Sequence, residues 1–511
     1  MEKDEKPTNS NGADVKEISE GLATIWTKGA VFYNPVQEFN RDLSIAVISS
    51  FIHDYKQEIK ITKKGEAGTE DYKVTILEAL SATGLRSIRY AKEIPGVAKV
   101  IANDISLTAV EDIKQNVIKN NVEQIVSARH CDASMLMYQH RHKNEQFDII
   151  DLDPYGCPSQ FLDSTVQAVK EGGLLLITAT DMAILCGNSP ETCYSKYGAI
   201  PIKIKSCHEM AVRILLQCIE LHANRYSRYI VPLLSLSADF YIRVFVRVFS
   251  GAQKCKFSAT KLSHIYHCTG CDSFTLQLLV TVKSDKSNHK FSIPTGPLVS
   301  KHCEQCKHPH HIGGPIWSAP IHSPEFVKKV LDNVPSSLKT YKRIEGILNV
   351  VLEELVDVPL YYTLDKLSGT LHVEMPSMMA LRSALLNAGY HVSFTHMNKT
   401  SIKTDAPKKV VWDIMRCWAR THPVAQKRLI QGTPAFNILS IEPEKDYSFK
   451  IHPHANPESR KKGFLRFQEN PTPHWGPGCR ATIMVGEQKI QKSVRNQGKR
   501  KRETSEEGVD K

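Results

Sequence analysis

Long apolar runs are absent from this sequence: none approaches the roughly 18 uninterrupted apolar residues that a membrane helix needs. The first six residues, MEKDEK, are too acidic for a secretory or transit peptide. The composition, with 41% hydrophobic and 23% charged residues, is that of an ordinary globular protein, and 511 residues suffice for two or three domains. We therefore expect a soluble intracellular protein that does not bind membranes.

Most of the 13 cysteines are scattered, which in a reducing compartment indicates buried thiols, but four of them form two Cys-x-x-Cys pairs. Cys268 pairs with Cys271, Cys303 pairs with Cys306, and a β-rich stretch lies between the pairs. Four thiolates at this spacing suit a structural, tetrahedral Zn²⁺ with no open position for catalysis. Redox-active pairs or unliganded thiols are the alternatives, but two pairs that close one polar loop favour the metal.

Short apolar runs alternate with amphipathic stretches between about residues 72 and 180. The runs predict strands at 74–77, 100–102, 126–128, 147–152 and 174–179, with helices at 85–93, 107–117 and 160–170. This alternation implies a parallel sheet with right-handed crossovers. After a longer helix at 203–221, β-branched and aromatic runs at 229–236 and 241–249 predict an antiparallel hairpin at the edge of the sheet.

A Gly-x-Gly-x-x-Gly loop is missing, because the turn after the first strand, at 81–86, contains only Gly84. Adenosine-containing ligands need such a small-residue turn for close backbone approach, although a plain strand-to-helix turn is the alternative. Two acids at the next strand ends favour the ligand. Asp104, about 20 residues beyond the turn, is placed to bind a ribose diol, and Asp132 is placed beside an adenine amino group.

The buried strand at 147–152 ends in Asp153-Pro154-Tyr155-Gly156, at the edge where open α/β sheets bind their ligands. The Asp153 carboxylate and the Pro154 carbonyl can each accept one hydrogen of a nucleobase amino group and aim its nitrogen at an electrophile. Tyr155 can then stack on the base. In the alternative interpretation, Asp153 caps the next helix and Tyr155 packs in the core.

The carboxyl-terminal half is predicted to be helical at 325–355 and to form a small α/β or winged-helix-like unit at 363–390, in which Ser377 caps a helix. The cationic and hydroxyl groups at 391–407, together with residues 412–420, can contact phosphates, although a solvated helix is the alternative. The net charge of +12 also favours a polyanionic partner.

The order of these features resembles that of the S-adenosylmethionine-dependent methyltransferases, and more closely the tRNA (guanine(26)-N2)-dimethyltransferase family. The resemblance spans roughly residues 25–485 and is carried by long, ordered strings. They are FYNPVQEFNRDLS at 32–44, ATGLRSIRY at 82–90, ND at 103–104, DLDPYG at 151–156, TATDMA at 178–183, CYSKYG at 193–198 and PHWGPG at 473–478.

The resemblance implies transfer of one or two methyl groups from S-adenosylmethionine to the N2 amino group of a tRNA guanine, with tRNA as partner and no obligate protein partner evident. It implies that the base is held by Asp153, Pro154 and Tyr155. The cofactor contacts that it implies are Arg41, Gly84, Arg86, Asp104, Asp132 and Ala133. Of these, Arg41 depends on the family alone, since its own surroundings indicate only a charged helix start.

The expected fold class is α/β: a Rossmann-like methyltransferase sheet with an antiparallel edge hairpin, followed by a zinc-binding α+β carboxyl-terminal domain. Residues 1–20 are predicted to be disordered, 21–255 to form the methyltransferase domain, 256–485 to form the zinc-containing tRNA-binding domain, and 486–511 to form a disordered basic tail. The run KRKR at 499–502 is compatible with import into the nucleus, where we expect the protein, or with loose RNA contact.

Two other functions are consistent with parts of this pattern. One is methylation of another amino group, such as adenine N6 in DNA or RNA or guanine N2 in ribosomal RNA, since the sheet alone does not specify the substrate. The other is a non-catalytic RNA-binding protein with a relic sheet, against which the joint presence of Asp104, Asp132 and Asp153 argues.

Overall fold

The computed structural model describes residues 15–28, 33–62, 72–285 and 288–467. Phe32, the PHWGPG string and the basic tail lie outside the described residues.

The elements of the first half are β1 (Val15–Glu20), β2 (Ala23–Lys28), α1 (Glu38–Thr62), β3 (Val74–Glu78), α2 (Leu85–Glu93), β4 (Val97–Asp104), α3 (Leu107–Lys119), β5 (Val126–His130), α4 (Ala133–Gln139), β6 (Phe147–Leu152), α5 (Ser159–Ala168), β7 (Val169–Ala179), α6 (Met182–Leu185), α7 (Pro190–Tyr197), α8 (Cys207–Asn224), β8 (Arg228–Ala238), β9 (Tyr241–Ser250) and α9 (Ala252–Cys255).

The second half combines small sheets with helices. Its elements are β10 (Leu262–Cys268), β11 (Phe274–Leu278), β12 (Thr281–Asp285), β13 (Asn288–Ser292), β14 (His310–Trp317), α10 (Pro324–Asn333), α11 (Tyr341–Glu353), β15 (Tyr362–Thr363), α12 (Leu364–Leu371), α13 (Met378–Asn387), β16 (Val392–Thr395), β17 (Asn398–Thr404), α14 (Lys408–Thr421), α15 (Pro434–Leu439) and α16 (Glu458–Lys461). No helix among the described residues is long and apolar enough to cross a membrane.

The central sheet has seven strands in the order β5-β4-β3-β6-β7-β9-β8. The first five are parallel, while β9 pairs antiparallel with β7 and β8, which confirms the predicted edge hairpin. Strand β6 is buried at every residue, as its apolar sequence predicts for a strand covered on both faces. The α/β class and the alternating elements are thus confirmed, and β6 ends in the middle of the carboxyl edge of the sheet.

The prediction of disorder for residues 1–20 is wrong for residues 15–20, which form β1 of an antiparallel hairpin with β2. The sequence VKEISE looks disordered because it is polar, but its inward side chains include Glu20, which is 2% exposed. Glu20 is buried because Arg41 and Arg89 neutralise it. The inner face of this strand therefore combines a buried ion pair at Glu20 with the apolar side chain of Ile18.

Other differences concern the lengths of helices. The single helical stretch predicted at 325–355 is two helices, α10 and α11. Helix α4 was not predicted at all. The Ser377 cap is confirmed, because its side chain accepts a hydrogen bond from the Ala380 N–H at 3.1 Å.

The carboxyl-terminal half packs directly on the central sheet. Helices α10 and α11 bury Val330 and Leu348 in the same apolar cluster as Phe51 of α1 and Ile76 of β3. Lys403 and Arg416, two of the cations considered for phosphate contact, are buried in this half and are 2% and 3% exposed. Arg416 pairs with Asp413, so these two cations do not contact phosphates.

A buried charge cluster joins the two halves. Lys403 of β17 lies 2.9 Å from Glu209 of α8, which also pairs with Arg213 at 2.7 Å. On its other side Lys403 approaches Glu354 at 3.6 Å, and Glu354 contacts the imidazole of His396 at 2.5 Å. Both acids are at most 6% exposed, so each carboxylate has lost its hydration. Attraction to the neighbouring cations offsets that desolvation cost.

Replacing Lys403 with methionine keeps the length of the side chain but removes a cation that both Glu209 and Glu354 contact. Loss of one partner of a buried pair costs about 3–5 kcal/mol, so Lys403→Met should lower the melting temperature clearly. The matched control is Lys409→Met, because Lys409 and its partner Glu444 are both at least half exposed. Equal melting temperatures for the two variants would show that the cluster does not hold the halves together.

Candidate active site and metal centre

The carboxyl ends of the parallel strands form the floor of the site. Asn103, at the end of β4, links its neighbours: its side-chain N–H groups donate to the carbonyl oxygens of Ala79 and Cys131, both at 3.0 Å. Ala79 follows β3 and Cys131 follows β5, so one buried amide joins three strand ends. The loops that carry the predicted cofactor contacts are therefore held in register.

The turn after β3 has the backbone conformation that a close ligand approach requires. Gly84 has a φ of +77° and caps α2, and a Cβ at this position would lie 3.2 Å from the side chain of Ile113. Ala82, also in the left-handed region with a φ of +49°, donates its N–H to Asp104 Oδ2 at 2.9 Å. The other oxygen, Oδ1, accepts from the Ser106 N–H at 2.9 Å. The predicted turn and the predicted ribose acid thus form one hydrogen-bonded unit.

The next strand end presents Asp132 and Ala133. Asp132 caps α4, because its carboxylate accepts a hydrogen bond from the Met135 N–H at 3.0 Å, and the residue is exposed. Ala133 is buried in the first turn of the same helix. Both residues therefore lie at the carboxyl end of β5, next to Asp104 at the end of β4, as the spacing predicts.

The segment after β6 differs from a simple cap or core turn. Asp153 does not cap α5, whose capping position is Pro158, and the side chain of Tyr155 is 73% exposed. The loop is nevertheless fixed, because Gly156 and Thr180 exchange hydrogen bonds of 2.7 and 3.0 Å. Asp153 therefore does not cap the next helix and Tyr155 does not pack in the core, so the alternative interpretation is wrong.

A buried network of charges holds Asp153 in place. Arg86 forms an ion pair with Asp153 Oδ2 and also approaches Asp151 at 3.3 Å and Glu78 at 3.6 Å. Arg243, from the distant strand β9, donates to both oxygens of Asp151 at 3.0 Å. Two cations therefore compensate three acids at the edge of the sheet.

Burial and the neighbouring charges shift the pKa values of Asp151 and Glu78 in this network. Burial alone would raise the pKa of Asp151, but the guanidinium groups of Arg243 and Arg86 and the hydrogen bond from Tyr90 hold that pKa below its ordinary value. Burial raises the pKa of Glu78 to about 7, with Arg86 acting in the opposite direction. Asp151 is thus an anion at neutral pH, and it anchors the guanidinium that in turn contacts Asp153.

Arg41, which was implied as a cofactor contact, lies in a second ion-pair cluster. Its guanidinium pairs with Glu20 and lies 5.4 Å from the centre of the Tyr33 ring. Glu20 is also bound by Arg89 at 2.7 Å. The structure therefore brings Arg86 to Asp153, whereas Arg41 contacts the hairpin strand β1.

The four paired cysteines converge at one point. The Sγ atoms of Cys268 and Cys306 are 3.1 Å apart, those of Cys271 and Cys303 are 3.7 Å apart, and all four lie within 4.8 Å of one another. All four are buried. Tetrahedral zinc–thiolate sites need this close, enclosed set of sulfur atoms, so the residues fit a structural Zn²⁺.

Helix α14 packs against both cysteine knuckles. The Trp412 indole N–H donates to Ser273 Oγ at 2.7 Å, and Arg416 donates to Gln305 Oε1 at 2.7 Å. Ser273 follows the first knuckle and Gln305 lies within the second. A metal at the four thiolates would therefore stabilise the helix as well as the knuckles.

Comparison with known proteins agrees with this geometry. Residues 12–416 match the model of a family described as N2,N2-dimethylguanosine tRNA methyltransferase. The chain belongs to this family. It is 53% identical over 525 residues to a tRNA (guanine(26)-N(2))-dimethyltransferase of Drosophila melanogaster, with coverage of 96% of this chain and 91% of the relative. It is 50% identical over 509 residues to the human enzyme of the same name, with coverage of 91% and 77%.

A solved structure supports the fold of this family member. The chain is similar to Trm1 from Pyrococcus horikoshii in complex with S-adenosyl-L-methionine, with a TM-score of 0.64 and 33% sequence identity. The similarity covers 78% of this chain and 98% of the archaeal one. The recognition of the family and the Rossmann-like methyltransferase fold are thereby confirmed.

The cysteine geometry predicts about one zinc ion per chain of this family member, measurable by elemental analysis of the purified protein. Cys268→Ser should lose most of the metal and melt at a lower temperature, because three thiolates bind zinc less tightly and α14 loses its support. Cys255→Ser is the control, since Cys255 lies outside the cluster. Metal-free wild-type protein, or a Cys268→Ser variant with full metal content, would contradict the assignment.

Proposed function

We propose that this chain transfers methyl groups from S-adenosylmethionine to the exocyclic N2 of a guanine in tRNA, forming N2-methylguanosine and then N2,N2-dimethylguanosine. The observation that carries the proposal is the end of β6, where Asp153 is fixed by Arg86 and Tyr155 is exposed beside the turn that Asp104 holds. The identity of the substrate is inferred from the chain's membership of the dimethylguanosine family and from the names of its relatives.

The task of the site is to orient a weak nucleophile. The lone pair of a guanine amino group is delocalised into the ring, so the nitrogen must be held in line with the methyl carbon of the sulfonium. Arg86 and Asn40 both approach Oδ2 of Asp153, and among the described residues Oδ1 has no hydrogen-bond partner. Oδ1 and the carbonyl oxygen of Pro154 are therefore the two acceptors that hold the amino hydrogens.

The transfer step breaks the bond between sulfur and the methyl carbon and forms a bond between that carbon and N2. S-adenosylhomocysteine leaves as a neutral thioether, and the methylated nitrogen gives up a proton. Asp153 is the carboxylate positioned to take it. Tyr155, exposed at the mouth of the site, stacks on a guanine that has been turned out of the tRNA.

The remaining residues bind the cofactor. S-adenosylmethionine would place its ribose diol on Asp104 and its adenine beside Asp132 and Ala133. Arg86 borders Asp153, and a guanidinium there suits the methionyl carboxylate close to the reacting end. For Arg41 to bind the methionyl carboxylate, its guanidinium would have to leave its present ion pair with Glu20.

The tRNA would contact both halves of the chain, since the carboxyl-terminal half packs on the sheet and the net charge is +12. We also propose that the domains divide near residue 255, although α10 and α11 share their core with the sheet. A nuclear location is proposed on the basic run at 499–502 alone.

Removal of the Asp104 carboxylate should weaken cofactor binding. Asp104→Ala loses the expected ribose contact and frees the Ala82 turn, so the affinity for S-adenosylhomocysteine measured by calorimetry should fall about 10- to 100-fold, as expected for lost hydrogen bonds to a charged group. Glu111→Gln is the control, because Glu111 lies on α3 and pairs with Lys114 at the surface. Unchanged affinity in Asp104→Ala would remove this residue from the cofactor site.

The proposed reaction is tested by transfer of labelled methyl from S-adenosylmethionine to total tRNA that lacks the modification, followed by nucleoside analysis. Label should appear first in N2-methylguanosine and then in N2,N2-dimethylguanosine. Asp153→Ala should lower turnover by about 100-fold or more, because it removes an amine-holding group and the proton acceptor, while cofactor affinity stays close to that of the wild type.

Two results would contradict this proposal. Label in a methylated adenine would retain the methyltransferase fold but overturn the substrate. Absence of label despite tight binding of tRNA would favour a non-catalytic RNA-binding protein. Near wild-type turnover in Asp153→Ala would leave the reaction in place but refute the role of Asp153.

A further inference from the structure

Asn40 is a buried asparagine beside the proposed amine-holding carboxylate. It lies in the first turn of α1 and is 0% exposed. Its amide nitrogen, Nδ2, donates to Gln37 Oε1 at 2.9 Å and approaches Asp153 Oδ2 at 3.5 Å. Both neighbours are acceptors, which assigns the nitrogen to this side of the amide.

The carbonyl oxygen of the same side chain, Oδ1, is buried and has no hydrogen-bond partner within the described part of the chain. Leaving a buried acceptor unpaired is costly, because the oxygen loses its bonds to water and gains none in return. Asn103 Oδ1, at the end of β4, is likewise unpaired among the described residues, whereas another buried asparagine has both ends of its amide paired. Asn116, equally buried, accepts from the Trp26 N–H at 2.9 Å and donates to the Thr83 carbonyl at 3.1 Å.

An unpaired acceptor next to a binding residue is explained if a ligand supplies the missing donor. We propose that Asn40 Oδ1 accepts a hydrogen bond from the N1–H of the target guanine, so that Asn40 helps to select guanine. This inference rests on the proposed function. Guanine carries N1–H directly beside the N2 amino group, whereas adenine has an acceptor at N1.

The arrangement of acceptors matches that edge of guanine. Asn40 Nδ2 lies 3.5 Å from Asp153 Oδ2, so the two side chains are adjacent. In the proposed pose, Asp153 holds the amino group and the neighbouring N1–H of the guanine faces Asn40. An adenine in the same position would set its N1 lone pair against the oxygen of Asn40. A site built around an N–H donor rejects an analogue that lacks it, because its own polar atom then stays unpaired.

The inference can be tested with a tRNA in which 2-aminopurine replaces the target guanine. This base keeps the exocyclic amine but has no N1–H, so it can be methylated but cannot donate to Asn40. Asn40→Ala should lower kcat/KM for both tRNAs, but the loss should be about 10-fold larger for the guanine tRNA. This difference corresponds to one hydrogen bond to a buried acceptor, which only guanine can form. Loss of the Nδ2 contact with Asp153 should lower both values by the same factor.

Asn116→Ala is the matched control, since it also removes a buried asparagine but one whose hydrogen bonds are all internal. It should reduce kcat/KM equally for the two tRNAs. Calorimetry with S-adenosylhomocysteine should show that Asn40→Ala binds the cofactor as the wild type does. A melting curve checks that each variant is folded under the assay conditions.

Equal losses on the two tRNAs in Asn40→Ala would overturn the inference and leave Asn40 as a positioning residue for Asp153. A fall in cofactor affinity as the main effect would also overturn it, because the oxygen would then serve the cofactor ammonium group. In both cases wild-type methylation of the guanine tRNA would still support the proposed function, so the two failures are distinguishable.

Discussion

The guanidinium of Arg86 is the contact on which the site depends. It pairs with Asp153 at the edge of the sheet and approaches Asp151 and Glu78 in the interior. Buried carboxylates without cations would cost more free energy than a folded domain of this kind can supply. Arg243 adds a second cation from β9, so the acids can remain buried at the sheet edge, where they keep Arg86 and Asp153 in position.

The features that were predictable from the sequence are those with a local cause. The alternation of strands and helices follows from apolar periodicity, and the order of Gly84, Asp104, Asp132 and Asp153 follows from parallel strands that end at one edge. The Arg243–Asp151 pair was missed because its partners are 92 positions apart in the sequence. No periodicity marks a contact of that range.

Buried polar residues account for two further errors. The strand β1 looked disordered because Glu20 is charged, and Lys403 and Arg416 looked like surface cations because lysine and arginine usually are. Each is buried with a specific partner that is distant in the sequence: Glu20 with Arg89, Lys403 with Glu209, and Arg416 with Gln305. The same property hides Asn40, which has no signal beyond its place in a polar string until the structure shows its unpaired oxygen.

The central claim is that Asp153, held by Arg86, aims the guanine amine at the sulfonium. A crystal structure of this chain with S-adenosylhomocysteine and an unmodified tRNA tests it most directly. The account predicts a flipped guanine with N2 at hydrogen-bond distance, about 2.7–3.2 Å, from the Asp153 carboxylate and the Pro154 carbonyl, and stacked on Tyr155. A guanine bound with its amine away from Asp153, or a cofactor whose ribose does not contact Asp104, would contradict it.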